Sequence, residues 1–360
     1  MPLADAPAGD YNGGKMERNP DQSPTSSAWR GWLRRGRNGV TLALGAALSA
    51  GFIAIAFRGT DWRAVVDVVR RARVGWLLLA LGSVLVTAWW RARRWRLLLI
   101  GPGEARIGIG PLLAALWVGQ ALNALTPARL GEVARALLIA QRSDVGRGAA
   151  LWSLVMEKLL DTLTLLAFVA GLALVAPLPA WLRSGALALG AATLVLLIGL
   201  LAVERWRQAA RAWLERLHAA HPRAQRLRLA RLLEIIADSA RLWRDGRTSA
   251  RLALWSLGCF LAAASTNALT ALALGISLPP TGALLLLAVL QSSAIVPLPT
   301  LPGRAGLFHL LCVLTLEIYG LPPDAALGYA LVLHLLVYLP MALGGPAGLW
   351  WLRRHHALRG

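Results

Sequence analysis

Apolar stretches long enough to cross a bilayer recur along this chain, separated by arginine clusters or by proline and glycine turns. No other feature narrows the possible folds as much. A membrane-crossing helix takes about 20 predominantly apolar residues. Residues 40–57, 74–90, 148–176, 181–203, 251–275 and 325–352 form six runs of that kind. Inside a bilayer every backbone N–H and C=O needs an internal partner, so the runs are predicted to be helical. The alternating strands of about ten residues that mark a β-barrel do not occur in the sequence. The expected fold class is an all-α polytopic membrane protein with six full spans. A hydrophobic content of 57% and a mean hydropathy of +0.55 set the chain apart from a soluble domain.

The formal net charge is +20, and it sits in the loops between the apolar runs. That placement points to membrane topology and contact with anionic headgroups, and away from nucleic acid. Arg30, Arg34, Arg35 and Arg37 precede the first run. Arg91, Arg93, Arg94 and Arg96 follow the second and read as a cytoplasmic stop, with Trp89, Trp90 and Trp95 at the interface. Both termini are predicted to be cytoplasmic, 1–38 as a disordered tail and 353–360 as a short basic one. No signal peptide is expected, because the first apolar run begins only near Val40 and ends without a small-residue cleavage motif. Residues 61–73 place Trp62, Val65, Val66 and Val69 on one helical face and read as an interfacial helix. The connecting region 204–250 carries two amphipathic helices, with eleven arginines against five acids in 204–247. It is either a specific lipid sensor or a plain connection along the cytoplasmic leaflet. Cys259 and Cys312 lie in apolar runs with no metal-ligand spacing and read as packing residues.

One apolar run, 111–126, is too short for an ordinary span. It leads into Asn123-Ala-Leu-Thr-Pro-Ala-Arg-Leu-Gly-Glu132, which sets Pro127, Arg129, Gly131 and Glu132 at apparent membrane depth. Pro302-Gly-Arg304-Ala-Gly306 repeats the pattern P-x-R-x-G. Val74 lies 53 residues before Pro127, and Arg251 lies 51 before Pro302. The next long runs begin 21 and 23 residues after those prolines. The spacing predicts two units of one plan: a span, a re-entrant broken segment (111–127 and 283–303), a further helix and a long span. Charge flanks start the first unit outside and the second inside, so the halves 39–203 and 251–352 form an inverted-topology repeat. Broken helices of such repeats meet near the bilayer midplane in transporters. A chance recurrence of P-x-R-x-G in a chain rich in these residues is the competing explanation.

An arginine at membrane depth costs about 3 kcal/mol on insertion scales, so it needs a counter-charge or a wet cavity. Arg129 has Glu132 three residues on, a candidate ion pair. Arg129 and Arg304 are the candidate ligands of a lipid headgroup phosphate, since a planar guanidinium matches a phosphate fork. Alternatively, Arg129 is a cytoplasmic anchor past a helix end. Glu157, Lys158 and Asp161 interrupt an apolar run, with Glu157 and Asp161 on one face. They form either a polar seam facing a cavity or an ion-pair cluster holding helices together. Proton coupling there would require a carboxyl with a raised pKa. His309, Glu317 and His334 read as interfacial or packed hydrogen-bonding residues. The sequence contains no Walker A motif, no G-x-S-x-G elbow and no metal-ligand cluster.

Arg94-Trp-Arg-Leu-Leu98, the Asn123–Glu132 stretch, Glu157-Lys-Leu-Leu-Asp161 and Pro299-Thr-Leu-Pro-Gly303 together resemble the lysylphosphatidylglycerol synthase transmembrane (flippase-like) family. The resemblance runs from about Val40 to Leu352. It implies an integral protein of the bacterial inner membrane that moves a phospholipid or lipid-linked sugar between leaflets during envelope biogenesis. Its partners would be an anionic phospholipid or polyprenyl-linked lipid, with an envelope-biosynthesis enzyme as a further partner, and it needs no cofactor. Arg129, Glu132, Glu157 and Asp161 take the motif's polar positions, and Asn123 and Lys158 complete the candidate substrate-binding set with Arg304. This chain has Lys158 where the family usually has arginine. It has Arg304 and His309 where the family favours a Pro-Gly-Gly-x-Gly run followed by glutamate. The family's synthase members carry a large soluble domain, and aminoacyl transfer is not expected here. A membrane-embedded transferase, with Glu157 or Asp161 as general base, and a non-catalytic scaffold are the competing functions.

Overall fold

The computed structural model describes residues 39–99, 107–126, 130–175, 180–206, 212, 245–295 and 302–355. Among these residues there are eleven helices and no β-strand. The first seven are α1 (Gly39–Ala56), α2 (Trp62–Arg70), α3 (Val74–Leu99), α4 (Ile109–Leu125), α5 (Leu130–Arg142), α6 (Arg147–Val175) and α7 (Ala180–Arg205). The remainder are α8 (Gly246–Ala273), α9 (Pro280–Ile295), α10 (Leu307–Glu317) and α11 (Pro323–Arg354), with a 3-10 turn at Pro302–Arg304 before α10. The expected tail 1–38, residues 356–360 of the expected tail 353–360, and most of the expected amphipathic pair in 204–250 lie outside the described residues.

Among the described residues five helices are long and apolar enough to cross a membrane: α3, α6, α7, α8 and α11. The expected first span is α1, whose 18 residues rise about 27 Å. Shorter apolar helices are the Leu44–Ala56 part of α1, α4, α9 and α10. The long helices turn large aliphatic side chains outward, among them Leu78 and Leu85 on α3, Leu187 and Val195 on α7, and Leu335 and Leu343 on α11. Such a belt belongs against acyl chains, because in water it would be an aggregation surface. The chain is a multi-pass membrane protein.

Two expectations need correcting. The second span does not stop at Trp90: α3 continues through all four arginines to Leu99. Arginine is a good helix former, and Ala92, Arg94, Trp95, Leu98 and Leu99 give the extension a buried face. The apolar face of α2 is also split. Trp62, Val66 and Val69 are exposed, whereas Val65 is buried against the start of α11. Asp61 caps α2 by accepting from the Arg63 N–H, and its own N–H donates to the Asp324 carboxylate on α11 at 3.0 Å.

α3 and α8 pack along their length and run antiparallel. Ser83 meets Thr266 at 2.6 Å, the Trp90 and Trp255 rings pack tilted with centroids 4.8 Å apart, and Arg94 reaches Ser256 at 3.2 Å. At one end the Arg73 N–H donates to the Ala273 carbonyl. At the other, Asp245 caps α8, accepting from the backbone N–H of Arg247 and Thr248. The Thr248 hydroxyl donating to that carboxylate holds its pKa below the usual aspartate range.

The neighbours of the helices follow a pattern. α4 packs on α11 as α9 packs on α6; α4 on α5 as α9 on α10; and α5 on α6 as α10 on α11. Exchanging α3–α6 with α8–α11 carries each of these packed pairs onto another packed pair. α4 and α11 also approach closely, where Gly344 faces Trp117, Gly345 faces Ala121 and Gly348 lies against the Ala114 backbone. Small residues spaced four apart let helix backbones approach in lipid.

Candidate functional site

Three short polar spacings on separate helices converge on one point. Arg91 and Arg94 are three apart on α3, Glu132 and Arg135 three apart on α5, and Glu157 and Asp161 four apart on α6, so each pair shares a helix face. Glu157 is almost fully buried, with the Arg135 guanidinium at 2.6 Å, Arg91 at 3.5 Å and Arg94 at 3.7 Å. Arg94, equally buried, reaches Asp161 at 2.5 Å and donates to the Ser256 hydroxyl of α8. The Arg135 guanidinium lies 4.5 Å from the centre of the Trp95 ring, and the Trp95 indole N–H donates to Ser153 at 2.9 Å. Four helices, α3, α5, α6 and α8, are tied together by this cluster.

The cluster is not neutral. Three guanidinium groups face two carboxylates, and the Arg94 Nε and Arg135 Nη1 donors have no hydrogen-bond partner among the described residues. Buried N–H groups of a cation without acceptors are costly. The arrangement has surplus positive charge and free donors, which suits an anion with several oxygens.

The remaining candidates fall around this core. Glu132 pairs with Lys158 at 2.8 Å in a partly exposed bridge. Asn123, at the end of α4, accepts from the Gly131 N–H at 2.9 Å, so its side chain braces the start of α5 across the break. Arg129, and with it the expected Arg129–Glu132 pair, lies outside the described residues. Arg304 sits on the second turn with a left-handed φ of 58°, between Gly303 and Gly306 at 70° and 88°. It donates to the Ser293 hydroxyl of α9 at 2.7 Å. The Pro302–Arg304 turn packs against α4, the helix that leads into the first P-x-R-x-G. His309 and His334 stand 3.1 Å apart as packed hydrogen-bonding partners, and Glu317 is exposed at the end of α10.

The sequence reading missed Arg91, Arg94 and Arg135 as site residues. The first two were absorbed into a supposed cytoplasmic stop. Leu97, Leu98 and Leu99 directly after the arginines were the available sign that the helix continued.

This architecture can be set beside known proteins. The family model described as the lysylphosphatidylglycerol synthase TM region matches residues 42–356. The chain belongs to that family. No curated protein and no solved structure matches it significantly. As a member of the lysylphosphatidylglycerol synthase TM-region family, it is a membrane protein in a lipid-related setting. The family match takes in all of the described helices except the first residues of α1.

Proposed function

We propose that this protein passes an anionic lipid headgroup between the leaflets of a bacterial inner membrane while the acyl chains stay in the bilayer. One observation carries the reading. Inside a bundle of membrane helices three guanidinium groups, Arg94 and Arg135 buried and Arg91 partly so, face two carboxylates and keep donors unused. A phosphate oxygen satisfies such donors better than any neutral group.

In this reading the two units are inverted copies. The antiparallel α3–α8 pair and the interchange of packing partners support that arrangement, since a two-fold axis in the membrane plane reverses every helix it maps. The re-entrant segments are α4 and α9, the second followed by the Pro302–Arg304 turn. Arg129 and Arg304 meet the headgroup from opposite sides, and the Arg91–Arg94–Arg135 cluster supplies the positive potential between them. Glu157 and Asp161 hold those arginines in place; Asn123 and the Lys158–Glu132 bridge hold α5 against α4 and α6. Both termini are cytoplasmic, and the lipid is a phospholipid or a lipid-linked sugar.

The test is leaflet exchange of a fluorescent phosphatidylglycerol in vesicles of phosphatidylethanolamine and phosphatidylglycerol containing the purified protein. Arg129→Ala is expected to slow exchange by about tenfold or more, equivalent to about 1.4 kcal/mol of lost headgroup interaction. Folding is checked by an unchanged melting temperature. An unchanged exchange rate in the folded variant rules the mechanism out. A chemically altered lipid in the mass spectrum would point instead to a transferase.

A further inference from the structure

We propose that His309 and His334 form a proton-binding site whose occupancy controls the turn carrying Arg304. The site deepens the translocation reading by supplying an energy source, and to that extent rests on it.

Hydrogen-bond direction makes the case. The Gly306 N–H donates to His309 Nδ1 at 3.4 Å, so that nitrogen carries no proton and the neutral ring has its hydrogen on Nε2. His309 Nε2 faces His334 Nδ1 at 3.1 Å, which makes His334 Nδ1 the acceptor and leaves the His334 hydrogen on its own Nε2. That second N–H is directed to the Gly303 backbone. The chain therefore starts at Gly306, crosses both rings and returns to Gly303. It closes a loop over Arg304.

One added proton cannot fit this chain wherever it lands. On His309 it occupies Nδ1 and confronts the Gly306 N–H directly. On His334 it occupies Nδ1, which obliges His309 to accept there through Nε2 and to carry its own hydrogen on Nδ1, again against the Gly306 N–H. Either way the Gly306 contact opens. The turn it secures is already strained, with Arg304 at a left-handed φ that a non-glycine residue rarely adopts. Proton uptake thus favours release of the turn and movement of the Arg304 guanidinium away from Ser293.

The surroundings suit the role. His309 is buried, its ring lies beside Phe57 at the end of the α1 helix, and Gly306 is tucked under the Ser49 carbonyl of α1. His334 packs on Phe308 and Tyr338. The groups that face the pair are the Gly303 backbone on the turn, the Phe308 ring on α10, the Tyr338 ring on α11 and the Phe57 ring just past α1. Neither histidine forms an ion pair with a carboxylate among the described residues.

Two measurements test the site on the full chain. The first is nitrogen NMR of the histidine-labelled protein in lipid nanodiscs, with His309→Gln and His334→Gln assigning the two rings among six histidines. Both rings are expected as Nε2–H tautomers near neutral pH. On acidification one proton enters the pair and the Gly306 amide signal shifts with the same midpoint. A His309 ring bearing its hydrogen on Nδ1 near neutral pH overturns the proposal. So does a Gly306 signal that stays fixed while the pair titrates, or a pair that takes up no proton over the range in which the fold survives. The second is the vesicle exchange assay with and without a pH gradient. The gradient is expected to accelerate exchange in the parent protein, and the acceleration is lost in His334→Gln. Exchange that proceeds but ignores the gradient refutes the proton site alone, whereas no exchange under either condition refutes the translocation reading.

Discussion

Glu157→Ala is expected to keep the protein from accumulating in folded form, while Lys158→Ala, one residue away, leaves it nearly untouched. The difference follows from burial and from the number of partners. Removing Glu157 leaves Arg91, Arg94 and Arg135 clustered in the interior, with only Asp161 against them. Breaking a buried pair by deleting one partner costs about 3–5 kcal/mol. That is a large part of the roughly 5–15 kcal/mol that holds an ordinary domain together. Lys158 makes a single, partly exposed bridge to Glu132, and such bridges contribute about 0–1 kcal/mol. Thermal unfolding of the detergent-purified variants, read by size-exclusion recovery, checks both. Adding Arg135→Ala to Glu157→Ala removes a second member of the cluster and is expected to restore part of the loss. Equal melting temperatures for Glu157→Ala and Lys158→Ala would mean that the buried cluster is not what ties α3, α5 and α6 together.

Gly131→Val is expected to be nearly as damaging, for a steric reason. A Cβ at Gly131 would run into the Gly119 carbonyl oxygen of α4, and the Asn123 backbone and side chain lie close behind. The obstacle is mostly backbone, so α4 and α5 must separate, and the Gly131 N–H to Asn123 bond goes with them. Overpacking of this kind costs about 1–3 kcal/mol, and more where no side chain can yield. Gly171 on α6 is the control, because nothing lies within 4 Å of its added Cβ. Gly171→Ala is expected to be neutral or to stabilise by up to about 1 kcal/mol through helix propensity. Melting temperatures of the two variants give the comparison.

Most helices were legible because lipid removes the usual ambiguity: an apolar run that must satisfy its own backbone has one structure available to it. The short run at 111–126 and the helix expected at 129–142 emerged within a few residues of their expected positions, as Ile109–Leu125 and Leu130–Arg142. The second span was cut short because arginines normally mark an interface. Here three of the four have specific partners, Arg91 and Arg94 with carboxylates and Arg93 with the rings of Trp89 and Trp255. Those carboxylates lie on α6, more than sixty residues away in the chain. No periodicity in one helix can announce a partner on another. Lys158 was grouped with Glu157 and Asp161 by proximity in sequence, yet it points to Glu132 and leaves the arginine cluster to the two acids. The close approach of α4 and α11 was readable in principle from Gly344-Gly-Pro-Ala-Gly348, whose small residues recur four apart.

The passage exists only if the two units face opposite sides of the membrane. Asp144, between α5 and α6, and Ile318, after α10, occupy equivalent junctions and are both exposed. Single cysteines placed at these positions, in a background where the buried Cys259 and Cys312 are replaced by alanine, can be labelled in intact cells with a membrane-impermeant maleimide. Inverted units give labelling at Ile318→Cys from outside, and at Asp144→Cys only after the membrane is opened. Labelling of both sites from the same face would contradict the inverted arrangement, and the two-sided headgroup path with it.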